Sequence, residues 1–147
     1  LDRSSAASDV YKRQVLLPIQ CEYYALEGVT QLMRTIEAVR HAMNKELRLG
    51  SILMTMFDGR TRLSTQVDEE VRTHFARETM STRIPRSVRV SEAPSYSRSV
   101  LTYEPTSAGA VAYREAAAEF AKRHACDEHS TNTSGVKHPD ASDTKKG

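Results

Sequence analysis

Apolar and polar positions along this chain follow two periods, and the changes of period divide it into elements. Val15 to Ile19 is a short apolar run, the pattern of a buried parallel strand, with Pro18 expected to end it. Val29, Leu32, Met33, Ile36, Val39 and Met43 then recur at helical spacing, with Arg34, Glu37 and Arg40 on the other face. That spacing predicts an amphipathic helix over residues 26–43, closed by Asn44. Ser51 to Phe57 is nearly continuous apolar sequence, a second buried strand, and Asp58-Gly59 turns the chain after it. Leu63, Val67, Val71 and Phe75 mark a second helix, with Ser64 as its expected N-cap and Asp68 and Glu69 near its positive end. Met80 to Ile84 reads as a third strand stopped by Pro85, and Val100 to Tyr103 as a last edge strand before Pro105. Ser107 is placed to cap a final helix whose apolar face is Ala110, Tyr113, Ala117, Phe120 and Ala121.

Strands alternating with helices predict an α/β fold on a parallel sheet with right-handed crossovers. Residues 15–124 carry this pattern and supply about three or four strands, fewer than a doubly wound sheet usually has. They read as the second half of such a domain. Residues 1–14 have no helical or strand period and resemble translated adapter sequence; a short natural disordered lead is the alternative. The first residue is Leu rather than Met, in keeping with a fragment. Residues 125–147 are polar and without period, a disordered tail.

Composition narrows the classes. The 147 residues suffice for one domain, and no apolar run approaches the length of a membrane span. Cys21 and Cys126 cannot build a disulfide framework and have no metal-ligand spacing, so a reducing, intracellular setting is expected. The net charge of +2 is too small to imply nucleic acid by itself. Its distribution says more: Arg83, Arg86, Arg89 and Arg98 fall in a stretch whose one acid is Glu92.

There is no glycine-rich, lysine-containing phosphate loop in the sequence, and the acid nearest to a magnesium-binding position is Asp58, which reads first as a turn residue. The five histidines have no metal spacing. No catalytic or metal-binding residue is therefore assigned. Three stretches are richer in chemistry: PIQCEYYALEG (18–28), TMFDGRT (55–61) and IPRSVRVSEAPS (84–95). Each lies just beyond the carboxyl end of an expected strand, and open α/β sheets bind ligands there.

These blocks, in this order, resemble the C-terminal half of ParA-type partition ATPases, a family of deviant P-loop proteins. The resemblance runs from Val15 to Arg123, with PIQCEYYALEG and IPRSVRVSEAPSY its most specific strings. It implies the C-terminal part of a doubly wound, mostly parallel P-loop NTPase sheet whose N-terminal half is missing. It further implies ATP with magnesium ion (Mg2+) as cofactors of the complete protein, an ATP-dependent homodimer, non-specific DNA binding, and hydrolysis stimulated by a ParB-type partner. The role is partition of a chromosome or plasmid, and the location is cytoplasmic and nucleoid-associated. By resemblance, Thr55, Met56, Pro85, Arg86 and Ser87 belong to the adenine side of the nucleotide site, with Ser87 standing where many relatives have Asn. Arg60 and Arg89 match arginines associated with DNA, and guanidinium suits phosphate because it stays charged and donates in a fork. The bland alternatives are strand-end turns and solvated arginines. Ser97, Ser99, Thr106 and Ala108 depart from the family's usual residues, which implies a looser turn and a weaker part of the basic surface.

Because the phosphate loop and its magnesium acid are absent from this sequence, the chain alone is expected not to hydrolyse ATP. A non-enzymatic DNA-binding or partner-binding remnant is the alternative. The sister MinD-type class ends in an amphipathic membrane helix, whereas the tail after His124 has no apolar face, so no membrane partner is expected.

Overall fold

In the computed structural model the described residues are 13–131, with side chains described through His124. Three parallel strands lie side by side in sequence order: β1 (Gln14–Gln20), β2 (Arg48–Phe57) and β3 (Thr79–Pro85). Helix α1 (Ala25–Ala42) joins the first pair and α2 (Arg62–His74) the second. After β3 come a short helix α3 (Val88–Glu92), a 3-10 turn (Ala93–Tyr96), a single helical turn α4 (Val100–Tyr103) and the long helix α5 (Ala108–Thr131).

Strand alternation gives the sheet two covered faces. Ile52 and Met54 of β2 point to one side and are buried with Ile19, Cys21, Val29, Val67 and Val71, beneath α1 and α2. Leu53 points to the other, where Met80 and Ile84 of β3 pack against Ala112 and Ala116 of α5. Helices thus lie on both faces, the doubly wound arrangement expected from the sequence. The α5 side of β1 is less covered, and Leu16 there is 43% exposed.

Five expectations are corrected. Pro18 does not end β1 but sits within it, in register with Leu53; the strand tolerates it because β1 lies at an edge of the described sheet. The N-cap of α2 is Thr61, whose hydroxyl accepts the Ser64 N–H at 3.4 Å, so Ser64 lies inside the first turn. Val100–Tyr103 is helical, not a strand: Tyr103 N–H bonds the Ser99 carbonyl, and Val100 is buried with Ala93 and Ala110. On α5 the buried face includes Ala112 and Ala116, while Ala117 and Ala121 are exposed. That helix also continues past His124 to Thr131. The expected cap at Ser107 does form, its hydroxyl accepting the Ala110 N–H at 3.2 Å. The expected foreign lead falls almost wholly outside the described residues, as does the tail after residue 131.

Gly109 pins α5 to the segment after β3. A Cβ there would lie 2.4 Å from Val90 Cγ2, and a β-branched side chain has little room to turn away. Gly109→Ala should therefore destabilise the protein by about 1–2 kcal/mol. Thermal melts would check it, with Val90→Ala expected to restore most of the loss.

Candidate nucleotide and DNA site

The loops beyond β1, β2 and β3 converge on one cavity of about 850 Å³ at the carboxyl ends of the strands. Its wall takes Ile19 to Ala25 from β1 and its loop, Met56 and Asp58 from the end of β2, Leu63 and Ser64 from α2, and Arg86 from the end of β3. Apolar walls with a few polar groups suit a flat, partly polar ligand. Tyr23 and Tyr24 stand at the rim, both largely exposed, their rings edge to face with centroids 5.2 Å apart.

Backbone irregularities shape this wall. The β2–β3 register shifts between Met54 and Phe57, and Met56 within that interval has a φ of 56°. A non-glycine residue in this left-handed region costs about 1–2 kcal/mol. The strain is held by bonds on either side: Thr55 donates its hydroxyl to the Ile19 carbonyl at 2.9 Å, and the Arg86 N–H bonds the Phe57 carbonyl at 2.9 Å. All three strand ends are thereby tied together.

Of the five residues assigned to the base side, Met56 and Arg86 lie in the cavity wall. Thr55, Pro85 and Ser87 stand behind it. Thr55 is spent on the β1–β2 bond, Pro85 pairs in register with Phe57, and Ser87 is the extended residue preceding α3. Sequence reading singled out the PIQCEYYALEG loop without assigning it a contact. Asp58, taken there as a turn residue, proves to be both: it closes the turn by accepting the Arg60 N–H at 3.1 Å, and it lines the cavity.

The two arginines assigned to DNA are both on the surface and both paired. Arg60 forks onto Asp58, Nε at 3.0 Å from Oδ1 and one terminal nitrogen at 3.1 Å from Oδ2. Arg89 reaches Glu92 at 3.2 Å. The Arg60 guanidinium bond holds the Asp58 carboxyl below its ordinary range, so that pair is charged at neutral pH.

Beneath the cavity floor lies a network that the sequence pattern does not reveal. Asp68 of α2 is buried, and its Oδ2 accepts from Arg72 at 2.9 Å and from Arg83 of β3 at 2.6 Å. Arg72 also bonds the Met80 carbonyl, and the Arg83 guanidinium sits 5.2 Å from the Phe57 ring centroid. Burial pushes the Asp68 carboxyl up, but the Arg83 and Arg72 hydrogen bonds outweigh it and hold it below its ordinary value. Burial, with the Asp68 charge beside it, pushes the Cys21 thiol up to about 11; it is a protonated core group rather than a nucleophile. Among the described residues no His, Cys, Asp and Glu cluster could hold a metal ion, and no helix is long and apolar enough to cross a membrane.

A parallel sheet covered on both faces, with its site outside the strand ends, defines the class, and solved structures give it a name. A chain described as cobyrinic acid a,c-diamide synthase from Mycobacterium smegmatis, with bound ADP and magnesium, superposes with a TM-score of 0.52 at 33% identity. It covers 70% of this chain and 35% of its own. A further structure of that protein matches with a TM-score of 0.53 at 31% identity, over 86% and 42%. The fold is that of part of a P-loop ATPase sheet.

Sequence relatives narrow the class. The chromosome-partitioning ATPase Soj of Thermus thermophilus is 50% identical over 109 residues, 74% of this chain and 44% of that protein. The chromosome partitioning protein ParA of Caulobacter vibrioides is 50% identical over 109 residues, 74% and 41%. The sporulation initiation inhibitor protein Soj of Bacillus subtilis is 47% identical over 107 residues, 73% and 42%. A family model described as an AAA domain matches residues 6–49. Over the residues it shares with these proteins, the chain belongs to the ParA-type family. It spans less than half the length of the curated relatives it matches.

Proposed function

We propose that this chain is the C-terminal, base-side and DNA-facing half of a ParA-type ATPase that acts in chromosome or plasmid partition. The complete protein binds ATP with Mg2+, dimerises on it, grips DNA without reading sequence, and hydrolyses ATP when a ParB-type partner engages it. It works in the cytoplasm, on the nucleoid. The observation that supports this best is the convergence of the three chemistry-bearing loops on one cavity at the strand ends, in a chain that is 50% identical over 109 residues to named partition proteins.

Within that reading, Met56 and Arg86 contact the base directly, while Thr55, Pro85 and Ser87 hold the two loops at the right separation. The remaining walls and the phosphate-binding groups come from the rest of the complete protein. Magnesium would supply charge neutralisation on the phosphates, and no described residue of this chain forms a ligand cluster for it. The chain by itself should accordingly release phosphate from ATP at the no-enzyme rate, with or without DNA. Turnover that co-purifies with the chain would contradict this assignment of roles.

Arg60 and Arg89 lie on loops and short turns, from which guanidinium groups reach phosphates but not base edges. In a complete protein rebuilt around this half and saturated with ATP, each Arg→Ala change should weaken duplex binding about equally on unrelated sequences. Each should lower the salt slope by roughly one unit, the signature of one lost phosphate contact. Salt titrations with nucleotide affinity measured alongside provide the test. An unchanged slope combined with lost ATP affinity would move these arginines out of the DNA surface and into the nucleotide site.

A further inference from the structure

The segment between β3 and α5 doubles back at Ser97, whose backbone is left-handed with a φ of 53°. The Ser97 N–H bonds the Pro94 carbonyl at 2.9 Å and the Arg98 N–H bonds the Ala93 carbonyl at 3.1 Å, which closes the turn. Closure brings the 3-10 turn against α4, and the Tyr96 and Tyr103 rings stack there with centroids 5.0 Å apart and planes 20° from parallel. Ala93 and Val100 are buried with Ala110 of α5, so the ring pair stands on a fixed base. Tyr96 is nevertheless 62% exposed. Tyr103 covers one face of its ring, so the other face and the ring edge meet solvent.

Guanidinium groups flank this ring. Arg89 of α3 reaches Glu92 at 3.2 Å and also bonds the Tyr103 hydroxyl. Arg98, two residues beyond Tyr96, is exposed and has no ion pair among the described residues. Of the acids nearby in sequence, Glu92 is taken up by Arg89, and Glu104 follows Tyr103. An open aromatic face beside arginines is the combination that holds single strands, in which the ring stacks on a base and the cations bond the backbone. A base inside a duplex offers no free face, because its neighbours cover both.

We propose that the Tyr96–Tyr103 stack is a platform for an unpaired base, so that this surface binds single-stranded DNA. One base stacks on the outer face of Tyr96, and Arg89 and Arg98 hold the adjoining phosphates. The proposal rests on the reading of Arg89 as a DNA contact. It adds a second mode of binding, in which a ring contributes as well as charge and strands with free bases gain from it.

The test uses the full 147-residue chain with a labelled oligothymidylate and a duplex of equal phosphate count, each titrated at several salt concentrations. Four proteins are compared: wild type, Tyr96→Ala, Tyr96→Phe and Arg89→Ala. Tyr96→Ala should weaken single-strand binding about fivefold or more and duplex binding less than about twofold. Its salt slope should match wild type on both, since stacking releases no counterions. Tyr96→Phe keeps the ring face and should bind both DNAs like wild type. Arg89→Ala should lower the slope by about 0.7 on the single strand and about 0.9 on the duplex.

A Tyr96→Ala chain that binds the single strand as wild type does overturns the platform. So does an equal loss on both DNAs, or a loss that Tyr96→Phe shares, because the ring face would then not be what the strand meets. Failure of the wild-type chain to bind the oligothymidylate at low salt overturns it as well. If Arg89→Ala lowers both slopes while Tyr96→Ala changes neither affinity, Arg89 remains a DNA contact and the platform alone falls. If Arg89→Ala leaves both slopes unchanged, the reading of Arg89 falls and the proposal falls with it.

Discussion

Asp68→Ala is expected to cost about 3–5 kcal/mol of stability, more than any other single change considered for this chain. The size follows from burial. The Asp68 side chain is 3% exposed and serves two arginines whose side chains are themselves only 28% and 39% exposed. Removing the acid leaves two poorly solvated cations side by side, the circumstance in which breaking an ion pair is most costly. It also unties α2 from β3, because Arg83 comes from the strand and Asp68 from the helix. Asp68→Asn should cost roughly half as much, since it keeps an acceptor but not the charge. Urea unfolding at neutral pH measures both. A loss below about 1 kcal/mol for the alanine variant would mean that water solvates the arginines more freely than their burial implies.

Glu119→Gln should cost about 2–3 kcal/mol at neutral pH and should flatten the acid limb of the stability profile. Glu119, on α5, answers an irregularity in β3. The β2–β3 register shifts between Thr79 and Arg83, and the N–H groups of Ser81 and Thr82 in that interval turn toward the helix. One carboxylate accepts both, at 2.7 and 2.8 Å, together with the Thr82 hydroxyl and the Arg123 guanidinium. Burial pushes its carboxyl up, yet these donors prevail and lower it from 4.5 to about 2. A folded-state pKa below the unfolded one contributes stability that is fully present above the unfolded value and is lost as pH falls. The window is therefore pH 4.5 down to about 2. Wild type should lose stability through that range faster than Glu119→Gln, so the two unfolding curves should approach one another in acid. Parallel acid limbs would show that the carboxylate is not held as the geometry indicates.

How much of this was legible in the sequence depends on whether an element's reason for existing is local. Helix α1 and strand β2 were readable because their burial follows one period, 3.6 or near-continuous, over many residues. Val100–Tyr103 was misread because a four-residue apolar run has no period, and contacts with Ala93 and Ala110 decide its conformation. The face of α5 was misplaced because alanines at neighbouring positions carry no preference of their own; packing against Leu53 and Met80 selects Ala112 and Ala116. The two largest energetic features, Asp68 and Glu119, were invisible for a related reason. Each is a charged residue on an otherwise ordinary helix, and its partners come from a strand distant in sequence.

The site divides in the same way. The three loops could be found because polar and aromatic residues just past a strand end point to a ligand edge, and the strands deliver those loops to one cavity. Which loop residues face the cavity could not be read, because the irregular backbone around Met56 sets their direction. That irregularity turns on long-range pairing. The fork between Asp58 and Arg60 is local, two residues apart, and was within reach of the sequence as an aspartate turn carrying an arginine.

The most direct test of the account joins this chain, from Val15 onward, to the part of the Thermus thermophilus Soj that it lacks, and measures binding to an unrelated duplex with and without ATP. A half that contributes the base side and the DNA face predicts a folded chimera that binds ATP, grips the duplex only when ATP is present, and loses that grip with Arg60→Ala and Arg89→Ala together. A chimera that folds cooperatively yet binds neither ATP nor DNA would contradict the account at its centre.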